Sequence, residues 1–258
     1  MTGPTFGRYV ALGDSFTEGL NDDLGADGRH RGWADRFADE LARHNPDLLY
    51  ANLAVRGKLI GQVAAEQVPA AIDLQPDLVT FAAGVNDTLR REFSLDQVVA
   101  DLDDAVSRLQ SNGATVVVFA FGDPSRRSRI MGSVADRLRA YNEATHRIAA
   151  AHGAPVVNFW GAAVFDDDRF WSSDRLHLSP EGHRLAARAA LEAVGLGDDS
   201  WRTPQASSPP VSLPMRGIGH TRWATGHLAP WIGRRLRGVS SGDGVTPKRP
   251  LLSPVHSE

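Results

Sequence analysis

Five residues scattered along the chain, Ser15, Gly57, Asn86, Asp174 and His177, have the types that acyl transfer needs. That chemistry takes a nucleophile, a base for its proton, a carboxylate to orient the base, and donors aimed at the developing oxyanion. Ser15 supplies a hydroxyl, and His177 can accept its proton. Asp174 stands three residues before His177, close enough to take a hydrogen bond from the other imidazole nitrogen and fix the tautomer. The backbone N–H groups of Ser15 and Gly57 and the side-chain amide of Asn86 can converge on the oxyanion. Each residue also has a plainer reading. Ser15 or Thr17 can cap a helix, Gly57 can open one, Asn86 can hold a turn with Asp87, and a lone His177 can sit at the surface. Only a fold that brings distant loops to one edge would unite them.

The pattern of the chain predicts such a fold. Tyr9–Leu12 is a buried, apolar strand cut off at Gly13, which leaves Ser15 exposed at a strand end. Further strands are expected over 48–53, 78–83, 115–121 and 155–159. Between them, apolar residues at helical spacing predict helices over 32–44, 59–74, 95–110, 134–151 and 180–194, with Pro69 kinking or splitting the second. Alternating strands and helices of these lengths imply a five-stranded parallel sheet covered on both faces. The strands then end near Gly13, Leu53, Gly84, Gly122 and Phe159, on one edge, and the five candidate residues meet there.

A chain of 258 residues, 42% apolar and 23% charged, can build one sizeable soluble core. Cysteine is absent, which excludes a disulfide framework, a thiolate metal site and a cysteine nucleophile. Too few residues precede the first strand for a signal peptide, and no apolar run is long enough to span a membrane; the expected location is cytoplasmic. The net charge of −3 divides into −9 over residues 1–199 and +6 over 200–258. An acidic body argues against nucleic acid as a partner.

Residues 1–199 are therefore expected to form the catalytic domain and 200–258 a basic tail without its own core. Eight of the 15 prolines fall in that tail, yet so do Trp201, Trp223 and Trp231. Charge and aromatic anchors point to docking on the body; docking on a partner or an anionic membrane surface, which Trp231–Arg237 suits, and plain disorder are the alternatives. Asp166, Asp167 and Asp168 read as a solvated loop and not a metal site, since consecutive carboxylates do not share a face. Arg126, Arg127 and Arg129 suit either an anionic substrate group or the acidic body. His183 reads as structural and Asp14 as an organiser of its turn.

Gly13-Asp14-Ser15, Asn52 to Gly57, Gly84-Val85-Asn86-Asp87 and Asp174-Arg175-Leu176-His177 occur in this order, and together they resemble the four blocks of the SGNH, or GDSL-type, hydrolases. The resemblance spans residues 8 to about 195 and leaves the tail outside it. It implies a three-layer α/β/α flavodoxin-like fold, Ser15 as nucleophile, His177 as base with Asp174 as its partner, and an oxyanion hole from Ser15, Gly57 and Asn86. The expected activity is cofactor- and metal-independent cleavage of a small carboxylic ester through an acyl-enzyme. Acyl transfer, thioester or lysophospholipid cleavage, and a non-catalytic binding module are the alternatives. The Gly-x-Ser-x-Gly elbow is not met, because Thr17 stands at its last position.

Overall fold

In the computed structural model, residues 3–126, 132–203 and 241–255 are described. Strands β1 (Arg8–Gly13), β3 (Leu78–Ala82) and β4 (Thr115–Ala120) are almost wholly buried, as their unbroken apolar runs require of central parallel strands. Strands β2 (Leu49–Asn52) and β5 (Val156–Asn158) flank them, and all five run parallel.

The order β5-β4-β3-β1-β2 is that of flavodoxin-like sheets. Strand order reverses between β1 and β3, where Gly13 lies beside Ala82 at the carboxyl ends. Chains leaving two such neighbours diverge and open a crevice between them. The segments carrying Ser15 and Asn86 leave from these two strand ends.

Helix α1 (Ser15–Glu18) follows β1, and α2 (Gly32–His44) follows it with Trp33, Phe37, Ala38 and Leu41 buried at helical spacing. The segment after β2 is split: α3 (Ile60–Gln62), a π-helical turn (Val63–Gln67) and α4 (Val68–Asp73), with Pro69 at the start of α4, where its missing N–H costs nothing. After α5 (Val85–Thr88) come α6 (Leu95–Ser111), capped by Ser94, α7 (Gly132–His152) and α8 (Pro180–Ala193), capped by Ser179. Helix α2 packs on α8, and α6 packs on α7, α3 and α4; the sheet forms the layer between them. No helix among the described residues is long and apolar enough to cross a membrane.

The sheet has a sixth strand that the sequence pattern did not predict. Strand β6 (Arg249–Pro254) pairs antiparallel with β2, Leu49 opposite Pro254 and Asn52 opposite Arg249. Its two prolines and exposed residues hide it from pattern reading, yet an edge position tolerates both. It covers main-chain groups that β2 would otherwise present to solvent. Trp201, two residues past the expected domain boundary, is buried against Phe159 and Phe165. Trp223, Trp231, Arg127 and Arg129 lie outside the described residues.

Candidate active site

The hydroxyl of Ser15 opens α1. Asp14 caps that helix, accepting the Phe16 N–H at 3.0 Å, and Phe16 anchors it among Trp33, Phe119, Phe121 and Phe159. Gly13 adopts φ +148°, and a Cβ there would overlap the Ala82 carbonyl oxygen, so no other residue fits before the turn.

Asp174 and His177 belong to a loop closed by the Trp171–Leu178 bridge and turned at Arg175, whose φ is +57°. His177 Nε2 lies 2.9 Å from Ser15 Oγ, and His177 Nδ1 lies 2.7 Å from Asp174 Oδ2. A carboxylate only accepts, so Nδ1 carries the proton and Nε2 presents its lone pair to the serine hydroxyl. Asp174 also accepts from Asn21 Nδ2 at 2.7 Å, from Ser172 Oγ at 2.6 Å and from the N–H groups of Leu176 and His177. Burial by itself would raise the Asp174 pKa, but the His177 and Ser172 bonds outweigh it and hold the carboxyl well below the usual range. Asp174 is thus an anion at any working pH.

Asn86 sits at the end of β3, on α5. Its amide nitrogen donates to Asp14 Oδ2 at 2.9 Å and to the Lys58 carbonyl at 3.1 Å, tying its own block to the first one and to the residue that follows the second. Burial pushes Asp14 up to about 6, although the Phe16 N–H and His177 pull the other way. Asp14 therefore does more than shape its turn, since it holds the Asn86 amide. Asp87, on the far side of Asn86, is likewise raised by burial to about 6 and accepts the Ile60 N–H.

Gly57 follows β2 at φ +77°, and its approach is fixed by Arg56. The buried carboxylate of Glu18, on the same short helix as Ser15, accepts the Arg56 N–H at 2.7 Å and the Arg56 guanidinium. Asn52 supports the same region, donating to the Thr17 carbonyl and accepting from the Ala54 N–H.

Sequence reasoning missed Asn21, Glu18, Arg56 and Gln67. Gln67 reaches Gly13 only because a π-turn re-aims it, and Asn21 reaches Asp174 from a left-handed conformation, φ +69°, that asparagine tolerates. Glu18 had one available signal, a carboxylate on a helix otherwise packed into apolar core. His183, expected to be structural, is buried: its Nδ1 accepts the Trp33 N–H and its Nε2 donates to the Leu20 carbonyl, and burial drives its pKa down to about 4. Among the three consecutive aspartates, Asp166 pairs with Arg126 and Asp167 with Arg169. Arg126 thus spends its charge on the protein's own surface.

Known proteins share the sequence family and the fold. The model of the GDSL-like Lipase/Acylhydrolase family matches residues 11–185. An arylesterase from Vibrio mimicus is 23% identical over 188 residues, covering 72% of this chain and 88% of that protein. Among solved structures, LAE5, an alpha/beta hydrolase enzyme from the metagenome of Lake Arreo, is 22% identical with a TM-score of 0.65, over 77% of this chain and 100% of that one. Axe2, an acetylxylan esterase from Geobacillus stearothermophilus, is 18% identical with a TM-score of 0.62, over 77% and 100%. These structural likenesses speak for the fold.

Proposed function

The chain belongs to the GDSL-like lipase/acylhydrolase family and is an ester-cleaving hydrolase, and from that premise we propose that it cleaves a small carboxylic ester through an acyl-enzyme on Ser15. The observation that carries this reading is the continuous hydrogen-bonded path from Ser15 Oγ through His177 to Asp174.

In this mechanism Ser15 Oγ attacks the ester carbonyl carbon while its proton passes to His177 Nε2. Asp174 faces the imidazolium that forms. The tetrahedral oxyanion is met by the N–H groups of Ser15 and Gly57 and by Asn86, whose weaker bond to the neutral Lys58 carbonyl is the one to yield. Collapse breaks the ester C–O bond, and the leaving alkoxide takes the proton from His177. Water, deprotonated by the same nitrogen, then attacks the acyl-serine; the acyl–Oγ bond breaks, Ser15 Oγ takes the proton back from His177, and the carboxylic acid is released. The acetyl ester named for the structural neighbour Axe2 is in keeping with a short acyl group.

The test is Ser15→Ala assayed on p-nitrophenyl acetate. Turnover should fall by roughly 10⁶ with the fold intact. Substantial hydrolysis by the purified variant would remove the serine mechanism.

A further inference from the structure

The C-terminal segment reaches the proposed oxyanion site. Gly242 lies directly on the Arg56–Gly57 peptide: a Cβ at Gly242 would overlap the Arg56 carbonyl oxygen and come within 3.2 Å of both the Arg56 carbonyl carbon and Val55 Cγ1. In a trans peptide the carbonyl and the following N–H point in opposite directions, and the chain contains no cis bonds among its described residues. Gly242 therefore backs the face of the peptide opposite to the Gly57 N–H. The other end of Arg56 is held as well, because Glu18 takes its N–H.

The segment is pinned firmly enough to act as a support. The Val245 N–H closes a turn on the Gly242 carbonyl at 3.0 Å. Lys248, nearly buried, donates to the His30 carbonyl at 2.9 Å and to Asp35 Oδ2 at 2.7 Å, and Arg29 donates to the Lys248 carbonyl. Strand β6 then continues along β2. This segment lies beyond the residues matched by the family model.

We propose that residues 242–254 form a strap whose Gly242 is a positioning residue, fixing the Arg56–Gly57 peptide so that the Gly57 N–H is aimed at the oxyanion. The inference rests on the serine esterase reading above. A strap of this kind acts on the transition state and leaves ground-state binding nearly alone.

The test measures kcat and KM on p-nitrophenyl acetate for Gly242→Ala, with active sites counted by titration to completion with a serine-reactive organophosphate. The expected result is a fall in kcat per titrated site of at least about ten-fold with KM within about two-fold. A variant that is merely less stable would lose titratable sites while the remainder turned over at the wild-type rate, and that result overturns the proposal. Should Gly242→Ala fail to fold, Lys248→Met loosens the strap at its anchor. It should lower kcat per site in the same sense, and Lys248→Arg should restore it; an unaltered kcat in Lys248→Met is equally fatal. An inactive Ser15→Ala beside a fully active Gly242→Ala rejects the strap alone, whereas an active Ser15→Ala rejects the serine reading and the strap with it.

Discussion

Gln67 pairs with both main-chain groups of Gly13: its amide oxygen accepts the Gly13 N–H at 2.8 Å, and its amide nitrogen donates to the Gly13 carbonyl at 2.9 Å. A buried side chain thus continues the ladder of the sheet at the point where β1 ends and the candidate nucleophile begins. Replacing it with methionine, similar in size but nearly mute in hydrogen bonding, takes the side-chain partner from the buried Gly13 N–H and leaves the Gly13 carbonyl only the longer bond from the Val55 N–H at 3.3 Å. Gln67→Met should lose roughly 1–3 kcal/mol, most of it at the Gly13 N–H. Urea unfolding would show this as a lower midpoint with an unchanged slope, and an unchanged midpoint would mean that water replaces the amide.

The contrast between Gln67 and His177 explains which parts of the site the sequence revealed. Ser15, Asp174 and His177 could be found because few residue types do their chemistry and each follows a strand end that the apolar pattern locates. Gln67, Asn21 and the Glu18–Arg56 pair act on backbone groups, which every residue has, so nothing in their types announces a target. The five parallel strands were legible because burial on both faces demands unbroken apolar runs. Strand β6, half exposed and carrying Pro250 and Pro254, owes its existence to the free edge of β2, a tertiary fact that no local pattern encodes.

Asn86 offers a direct probe of the oxyanion donors. Asn86→Ala should lower kcat by roughly 10²–10³ with KM little changed, the signature of a group that acts on the transition state. Steady-state kinetics on p-nitrophenyl acetate decide the matter. An unaltered kcat would leave Asn86 only the role of joining Asp14 to Lys58.

Asp14 should be visible in the pH profile. Burial raises its carboxyl to about 6, so it takes a proton as the pH falls through that value and stops stabilising the imidazolium that His177 becomes. The loss of the Asp14 charge therefore contributes to the acid limb of log kcat/KM near pH 6. Asp14→Asn should remove that contribution and make the limb shallower. Identical slopes in the two proteins would remove Asp14 from the titration.

His183 should make the protein acid-sensitive. Its pKa falls from 6.5 when unfolded to about 4 when folded, so between these values the unfolded chain binds more protons and stability drops as the pH falls. From pH 7 to pH 5 the loss assigned to His183 is about 2 kcal/mol. Asp14 and Asp87, both raised, work in the opposite sense over part of the window. The informative quantity is therefore the difference between wild type and His183→Asn. It should shrink by about 2 kcal/mol between pH 7 and pH 5 in denaturant titrations, and a constant difference would reject the assignment.

Trp201 connects the end of the described body to the catalytic loop. Its ring is 1% exposed and meets Phe159 and Phe165 at 5.8 and 6.2 Å, its N–H donates to Glu192 at 2.7 Å, and the Arg202 guanidinium lies 4.4 Å above it. Phe165 in turn accepts the Trp171 indole N–H at 2.8 Å, and Trp171 opens the bridged loop that holds Asp174 and His177. Trp201→Ala should cost about 3–5 kcal/mol, as large-to-small changes in a packed aromatic cluster do. Because the cavity lies beneath Phe165, activity measured well below the melting temperature should fall as well, through misalignment of His177 with Ser15. Trp201→Phe keeps the ring packing and gives up only the bond to Glu192, which Arg202 still satisfies, so it should retain most of both properties. Calorimetry and ester kinetics on the two variants separate the roles. A Trp201→Ala protein that melts early yet turns over normally when folded would confine this residue to stability.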